Sequence, residues 1–451
     1  MSNFREIDRD TDFLLPPSVN DWLPERHLAR FVVEVVEQLD LSGMSRRYRG
    51  SGSAAYHPSV LLGLLIYGYA TGVFSSRKIE RATYDSVAFR FIASNQHPDH
   101  DTLATFRKRF LREIEGLFVT VLKLAGEMGV LKLGTVALDG TKVQANASRH
   151  SALSYGHAEK IEAQLRQEVA DLLTLAEQAD QADLPDELVI PAELERRETR
   201  LAAIARAKTE IEARAAERAV REQAEYQAKL AAREERSRRT GKKPRGKPPS
   251  PPTAGPRADD QINLTDAESR IMKTRQGFEQ CYNGQAAVDV ETMLVVGQTV
   301  TAAGNDKQQV EPMLERLTAL PKALGRVEVL LADAGYCSEH NVEQCRNAAI
   351  EPMIALARES HHLPWQVRFG EPPPLDPAAG PLETMAHRLK TRDGRNRYAL
   401  RKQTVEPVFG IIKSVLGFRQ FLLRGLDSTR GEWSLVTMSW NIKRLFALKP
   451  V

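Results

Sequence analysis

The sequence predicts an α/β protein: helices flank a mixed β-sheet, an all-helical domain precedes the sheet, and a helical hairpin is inserted into it. Three observations support this prediction. The N-terminal part has helical periodicity, short β-branched runs begin at about residue 131, and a long, highly charged stretch separates the first run from the second. We expect a helical domain, a sheet domain in two pieces, a hairpin and a basic Pro-rich linker, with the bounds 1–130, 131–155 with 271–451, 156–239 and 240–270.

The composition is that of a globular protein. Of the 451 residues, 42% are hydrophobic and 27% are charged, which excludes a fully disordered or fibrous chain. The longest apolar run, 60–67, is far shorter than the roughly 20 residues that span a bilayer. The N-terminus lacks the basic start and apolar core of a signal peptide, so we expect a cytoplasmic protein. Three cysteines without a CxxC pair argue against a disulfide framework or a structural zinc site.

Three helices are expected in the N-terminal domain. Apolar residues recur at helical spacing over 28–39, and segment 59–69 is apolar nearly all round, as in a fully buried helix. A third helix is expected to begin near Asp101 or Thr102. Its apolar face comprises Leu103, Phe106, Phe110, Ile114 and Phe118. Its other face carries Arg107, Lys108, Arg109 and Arg112, which either lie on a DNA backbone or only face solvent.

The charged stretch predicts an antiparallel helical hairpin. Two apolar seams have helical or heptad spacing: Ile161, Leu165, Val169, Leu172 and Ala176 in one helix, and Leu194, Leu201, Ile204, Ile211 and Ala215 in the other. Segment 183–191 carries two prolines and is suited to the turn. Arg197, Lys208 and Arg218 interrupt the second seam and weaken it.

A basic run follows the hairpin. Residues 233–257 contain nine Lys and Arg against Glu234 and Glu235, so much of the positive charge of the chain is local. Such a run is either a solvated linker or a nucleic-acid contact, and Lys242, Lys243 and Arg245 lie at its centre.

The sheet domain is predicted from short apolar runs with β-branched residues. Strands are expected at 134–138, 285–290, 294–300 and 327–331. A helix-like stretch, 307–324, precedes the last of them. The order of strand, two adjacent strands, helix and strand indicates a mixed sheet that begins antiparallel.

Two of these runs lead into an acidic residue. Asp139 follows the first run and Asp333 follows the fourth, each with a glycine within two residues. A strand end on a rigid sheet holds a carboxylate in place while leaving it open to a ligand. Either residue alone is equally suited to a turn or a helix cap, because Asp and Gly are common turn formers.

A third carboxylate lies in a predicted helix near the C-terminus. Glu406 stands among Val405, Val408 and Phe409, so we expect it on the buried side of that helix, where it needs a partner or a metal. The alternatives are an ordinary ion pair with Arg401 or Lys402, or a place in the first turn of a helix beside Pro407. Three carboxylates on a sheet and a packed helix are suited to two magnesium ions, which prefer hard oxygen ligands.

Asp139, Asp333 and Glu406, preceded by a helical domain, resemble the Asp-Asp-Glu triad of bacterial insertion-sequence transposases of the DDE type, whose catalytic core is ribonuclease-H-like. Similar motifs cover nearly the whole chain: Phe13-Leu14-Leu15-Pro16-Pro17, Asp21-Trp22-Leu23-Pro24 and Tyr56-His57-Pro58, then Leu138-Asp139-Gly140-Thr141-Lys142, Tyr282-Asn283-Gly284-Gln285 and Ala332-Asp333-Ala334-Gly335-Tyr336, and finally Glu406-Pro407-Val408-Phe409-Gly410 and Gly417-Phe418-Arg419. The resemblance implies that strands two and three form a hairpin beside the first.

The wider family has a signature of Tyr, Arg, Glu and Lys around the last carboxylate. Tyr398, Glu406 and Lys413 resemble it. Arg401 has the expected spacing from Tyr398, whereas Lys402 has the expected spacing to Glu406, so either cation fills the Arg position. The resemblance implies that these side chains contact phosphates near the scissile bond, and that the triad holds two Mg²⁺ or Mn²⁺ ions.

The function implied is that of a DNA transposase, which cuts the ends of its own element and joins them to target DNA by metal-dependent phosphoryl transfer. Its partners are then the terminal inverted repeats and the target DNA, bound by a homodimer in the nucleoid. Arg107, Lys108, Lys242, Lys243 and Arg245 are expected to contact DNA, with the N-terminal helices as a DNA-binding domain. The alternatives are a non-catalytic DNA-binding regulator or an inactive transposase remnant. A coiled-coil scaffold is disfavoured by the interrupted heptads.

Overall fold

The computed structural model describes residues 18–48, 55–178, 189–241, 246–356, 364 and 370–449. The chain divides into two compact units: residues 1–144 with 282–451, and residues 145–281. The N-terminal helices and most of the sheet thus share the first unit. The domain boundaries expected from the sequence stay predictions.

The secondary structure is mixed. The α-helices are α1 (Leu28–Glu37), α2 (Ser42–Ser45), α3 (Pro58–Thr71), α4 (Ser76–Asp85), α5 (Val87–Ile92), α6 (His100–Arg109), α7 (Leu111–Glu127), α8 (Tyr155–Gln178), α9 (Ile190–Thr240), α10 (Val310–Thr318), α11 (Glu339–Asn347), α12 (Pro381–Lys390), α13 (Arg392–Gly410) and α14 (Leu426–Leu448). The strands are β1 (Leu133–Gln144), β2 (Ala152–Ser154), β3 (Gln261–Asn263), β4 (Arg270–Thr274), β5 (Gly277–Asp289), β6 (Val295–Thr301), β7 (Gly325–Ala332) and β8 (Glu351–Ile354).

Helix α3 is the buried centre of the N-terminal helices. It begins after His57, whose ring nitrogen accepts from the Ser59 amide, and Pro58 occupies the first turn, where its missing N–H costs nothing. Gly72 ends the helix in the left-handed conformation that glycine tolerates. Among the described residues no single helix is long and apolar enough to cross a bilayer; only α3 and α4 taken together, bent by 96°, meet that test by length and composition.

The third predicted helix is two helices. α6 and α7 meet at Phe110, and the N-cap of α6 is Asp99, not Asp101 or Thr102, because its carboxylate accepts from the Thr102 amide at 2.7 Å. All five residues of the predicted apolar face are buried. The helical period thus gave the correct buried face although the axis breaks within it.

In the first unit the strand order is β6–β5–β1–β7–β8. β5 and β6 are antiparallel, whereas β1, β7 and β8 are parallel, so the sheet is mixed, as predicted. The predicted hairpin of the second and third strands lies beside the first strand. Helix α10 is shorter than the predicted helix 307–324. Helix α14 packs on β6, and its Asn441 side chain bonds the amide and the carbonyl of Val295, which leaves none of these buried groups unpaired.

The second unit is built on the antiparallel pair α8 and α9. Its core includes Leu165, Ile204 and Ile211, while the predicted turn falls mostly within 179–188, outside the described residues. The cations that interrupt the seam form ion pairs: Arg197 with Glu168 at 2.7 Å, Lys208 with Glu162 at 2.8 Å, and Arg218 with Asp260 at 2.5 Å.

The described residues of the predicted linker include secondary structure of this unit. α9 continues to Thr240, so the basic run begins within a helix. Arg233 donates to the carbonyl of Gly246 at 2.8 Å, and Arg257 pairs with Glu222 at 3.0 Å. β2 and β3 form a short antiparallel pair, and β4 pairs with residues 277–281 of β5.

Candidate active site

Asp139 lies inside β1. The sequence predicts that the strand ends before Asp139, but β1 continues to Gln144. In the parallel register Leu138 is opposite Ala332, so Asp139 and Asp333 follow paired residues on neighbouring strands. The topology therefore brings together two carboxylates that are far apart in sequence.

Asp333 directly follows β7 and caps the next turn. Its carboxylate accepts from the Gly335 amide at 2.8 Å, and a 3₁₀ turn runs from Ala334 to Tyr336. The open end of a strand and a local cap thus fix the position of this side chain.

Asp139 is a desolvated carboxylate. Its side chain is 18% exposed and accepts from Arg401 Nη1 at 2.9 Å and from the Gly140 amide at 2.8 Å. Burial raises its pKa from 3.8 to about 6; Arg401 acts in the opposite direction, and the nearby Asp333 adds to the rise. The ionised form of Asp139 is therefore less stable than in water and is favoured by any added positive charge.

Glu406 lies in α13 and does not face the buried side, which corrects the prediction. Its side chain is 51% exposed, and its Oε1 is 3.6 Å from Arg401 Nη2. This is the ion pair named as the alternative. Arg401 therefore contacts two of the three predicted triad members.

The structure places the signature residues on both sides of the two aspartates. The Tyr398 hydroxyl donates to the Ala332 carbonyl at 3.2 Å, directly before Asp333. Lys413 Nζ donates to Thr141 Oγ1 at 2.9 Å and to the Lys142 carbonyl at 2.6 Å, directly after the Asp139 segment. Lys402 is exposed.

Helix α13 is irregular where it carries the third carboxylate. Pro407 stands inside the helix, and a π-helical segment, Ile411–Val415, follows its end. Proline cannot donate an amide hydrogen bond and crowds the preceding turn, and π turns occur often at functional sites. The helix between Glu406 and Lys413 is therefore not a regular α-helix.

The predicted DNA-contacting cations have three different outcomes. Arg107 is 6% exposed and its Nη1 donates to the Tyr69 hydroxyl at 2.9 Å, so the prediction that it lies on a DNA backbone is wrong. Lys108 is exposed and stays a prediction. Lys242, Lys243 and Arg245 lie outside the described residues.

The donor chemistry of the aspartate pair fits a divalent cation. Asp139 and Asp333 supply hard oxygen atoms, and the desolvation of Asp139 is relieved by a cation beside it. Glu406 is not gathered with them: among the described residues no three His, Cys, Asp or Glu side chains lie close enough to hold a metal ion. The fit therefore rests on two carboxylates.

Sequence reasoning missed one carboxylate at this site. Asp306, in the loop before α10, accepts from Asn283 Nδ2 at 2.6 Å and from Gln285 Nε2 at 2.7 Å. The sequence motif that contains Asn283 and Gln285 assigns neither residue a role. No local pattern marks Asp306, because both of its partners lie on β5.

Models of two known protein families match parts of the chain. A transposase domain (DUF772) matches residues 17–109, and a transposase DDE domain matches residues 247–442. The second match contains Asp333 and Glu406, whereas Asp139 precedes it. Neither a search of curated proteins nor a search of solved structures finds a match. The DDE domain implies the ribonuclease-H-like fold for the mixed sheet, and its family acts on DNA with divalent metal ions. The two matches together cover more than half of the chain, which belongs to the insertion-sequence transposases of the DDE family.

Proposed function

We propose that this transposase cuts DNA at the ends of its own insertion sequence and joins those ends to a target. The observation that carries the proposal is the parallel register of β1 and β7, which sets Asp139 beside Asp333, with Arg401 linking Asp139 to Glu406. Two carboxylates that neighbouring strands hold close together can bind the divalent ions that metal-dependent phosphoryl transfer uses.

Asp139, Asp333 and Glu406 are the proposed metal ligands, for two Mg²⁺ or Mn²⁺ ions. Such ions supply charge stabilisation at the attacking and leaving oxygens of an in-line displacement. Glu406 reaches its ligand role only by giving up the 3.6 Å contact with Arg401. Arg401 Nη2 is then available for a phosphate, while Nη1 keeps its hydrogen bond with Asp139.

The remaining cations of the site hold the DNA backbone in this proposal. Arg401 and Lys413 are anchored beside the aspartates, so they contact phosphates next to the scissile bond, with Lys402 and Tyr398 further along the same helix. Lys108 and the segment with Lys242, Lys243 and Arg245 add contacts further away. We propose a homodimer on the two terminal inverted repeats, acting on nucleoid DNA in the cytoplasm.

The test is strand cleavage in magnesium, with DNA that flanks the gene as the probe. Asp139→Asn, Asp333→Asn and Glu406→Gln keep side-chain size and remove one charge each, so each variant should bind that DNA and lose cleavage by several orders of magnitude. The matched control is Asp427→Asn, because Asp427 is 84% exposed and remote in sequence from the triad. It should cleave normally.

Two outcomes would change the assignment. Full cleavage by any one of the three variants removes that residue from the catalytic set. Binding by the wild-type protein with no magnesium-dependent cleavage of any flanking DNA favours a non-catalytic DNA-binding regulator, the function that an ungathered Glu406 would suit.

A further inference from the structure

Asp306 is a carboxylate of the first unit that the proposed triad does not use. Its Oδ1 accepts two hydrogen bonds, from Asn283 Nδ2 at 2.6 Å and from Gln285 Nε2 at 2.7 Å. Both donors belong to β5 and are fully buried. Charge-assisted bonds of this length are stronger than neutral ones, so the loop before α10 is firmly tied to the sheet.

The bond from Gln285 fixes the orientation of its amide. Oδ1 of Asp306 accepts this bond from Nε2, so Nε2 faces Asp306 and Oε1 faces the other way. There Oε1 accepts from the Tyr336 hydroxyl at 2.5 Å, and Tyr336 is fully buried. Tyr336 is the last residue of the turn that Asp333 begins, so the chain of bonds runs from Asp306 to the Asp333 turn.

A second link joins the same two segments. The side-chain amide of Asn341, in α11, donates to the Lys307 carbonyl and to the Tyr336 carbonyl, each at 2.7 Å. Lys307 directly follows Asp306. The Asp306 loop is therefore tied to the Asp333 turn through Gln285 on one side and through Asn341 on the other.

The side chains of Gln285 and Asp306 also pack closely against the backbone of Gly140, next to Asp139. A Cβ atom on Gly140 would lie 2.3 Å from Gln285 Nε2 and 2.6 Å from Asp306 Oδ1, so only glycine lets them approach. On the other side, a Cβ atom on Gly335 would lie 3.0 Å from Asp333 Oδ1 and 3.8 Å from Asp306 Oδ2. Asp306 thus lies between the residue after Asp139 and the turn after Asp333.

We propose that Asp306 is a positioning residue that sets the separation of the two aspartates. It acts through the Asp306 brace, defined as Asp306, Asn283, Gln285 and Tyr336. The brace holds the Asp333 turn against β5 and the backbone at Gly140 and so keeps both carboxylates within reach of one cation. This inference rests on the proposed function, since it presumes that the aspartates bind the metal. Asp306 acts through its hydrogen bonds and not as a metal ligand.

The experiment compares Asp306→Ala with Asp306→Asn in the full-length protein. The asparagine retains an acceptor oxygen for Gln285, whereas the alanine removes it. Amide hydrogen exchange of peptides covering 333–337 is measured without metal, because the Gly335, Tyr336 and Cys337 amides are all hydrogen-bonded in that turn. Mn²⁺ affinity is measured by electron paramagnetic resonance of the free ion.

We expect the alanine variant to exchange at least tenfold faster in that peptide and to bind Mn²⁺ at least tenfold more weakly. The asparagine variant should stay within about threefold of wild type in both measurements. Glu311→Ala is the matched control, because Glu311 is 58% exposed on the nearby α10, and it should change neither. If the alanine variant does not fold, Tyr336→Phe tests the same chain with a smaller expected increase in exchange, about threefold.

Two results would overturn the proposal. Wild-type exchange and wild-type Mn²⁺ affinity in Asp306→Ala would show that the Asp306 brace does not set the positions of Asp139 and Asp333. Equal loss of Mn²⁺ affinity in the alanine and asparagine variants, with unchanged exchange, makes Asp306 a ligand and not a positioning residue. Failure of the proposed function looks different: the wild-type protein then cleaves no flanking DNA or binds no Mn²⁺, while the exchange measurement still decides the role of the brace.

Discussion

Two carboxylates of the first unit, Asp139 and Glu432, are both taken out of water near an arginine, yet their surroundings differ. Glu432 is fully buried in α14 and accepts from the Tyr69 hydroxyl at 2.8 Å and from the amides of Leu422 and Leu423 at 2.9 and 3.0 Å. Asp139 keeps 18% of its exposure and has another carboxylate, Asp333, nearby.

The difference shows how the surroundings of a structural acid differ from those of a carboxylate that we propose as a metal ligand. Burial raises the pKa of both carboxyl groups. Each oxygen of Glu432 faces donors, and Arg107 reaches it through Tyr69, so the negative charge is compensated without any ligand. The surroundings of Asp139 include a like charge, Asp333, and the pKa of Asp139 stays raised although Arg401 lies beside it, so a further cation would stabilise the ionised form. The neighbours of a buried carboxylate, more than its burial, thus indicate its role.

The largest expected effect separates the two residues by activity. Asp139→Asn should lose magnesium-dependent cleavage by several orders of magnitude, because it removes a charge that the metal needs. Glu432→Gln should stay within about threefold of wild type per folded molecule, since Glu432 does not touch the site. Cleavage assays normalised to the folded fraction from circular dichroism make this comparison. A Glu432→Gln protein that is folded but inactive would contradict the distinction.

The next effect separates them by stability. Glu432→Gln should lower the free energy of unfolding by about 3–4 kcal/mol, because Arg107 then lacks its counter-charge and one amide group faces backbone donors. Urea unfolding followed by tryptophan fluorescence measures it, with the buried Trp433 as a probe. The control is Asp427→Asn on the same helix, which is exposed and should shift stability by no more than about 0.5 kcal/mol. Equal changes in the free energy of unfolding would mean that the buried Glu432 carboxylate stabilises the fold no more than the exposed Asp427 carboxylate does.

These two residues also show how far the sequence could lead. Asp139 and Asp333 were found because strand runs end in an acidic residue and glycine, which is a local pattern. Arg107 was misplaced as a surface cation, although it stands four residues after Leu103, on the apolar face of α6. Its true partners, Tyr69 and Glu432, lie in α3 and α14, and no local pattern predicts such a contact.

The fold was more predictable than the site. Strands and helices could be predicted from the periodicity of apolar residues, because that periodicity reflects which face of each element is buried. The break at Phe110, the extension of β1 past Asp139 and the exposure of Glu406 depend on packing between distant segments. Asp306 could not be found, because its meaning comes from Asn283 and Gln285 on β5.

A smaller effect concerns the pH dependence of stability without metal. The pKa of Asp139 in the folded protein is about 6, above its ordinary value of 3.8, so the folded state binds the proton more tightly than the unfolded state. The stabilising contribution is complete below pH 4 and is lost as the pH rises through 6. Asp139→Asn mimics the protonated acid. It should therefore be more stable than wild type by about 3 kcal/mol at pH 7.5 and by only about 0.5 kcal/mol near pH 4.

Urea unfolding of both proteins from pH 4 to pH 8 measures that difference. Subtracting the wild-type free energy of unfolding from that of Asp139→Asn at each pH cancels the contributions of the other titrating groups. Asp427→Asn should run parallel to wild type over the whole range, since its side chain is 84% exposed. A difference between Asp139→Asn and wild type that is constant with pH would show that Asp139 ionises as freely in the folded protein as in the unfolded chain.

The smallest effect extends the comparison to an ion pair in the second unit. Lys208 and Glu162 join α9 to α8 at 2.8 Å, and their side chains are 21% and 19% exposed, so water still reaches this pair of opposite charges and weakens the attraction. A double-mutant cycle with Lys208→Gln and Glu162→Gln should give a coupling free energy of about 0.5–1 kcal/mol, which falls in 1 M salt. The matched cycle uses Lys229 and Glu225, a pair within α9 at 3.9 Å and 67% and 56% exposed, and should give almost none. A coupling between Lys208 and Glu162 as large as the Glu432 effect would mean that the two helices depend on this pair instead of on the apolar seam of Ile204 and Ile211.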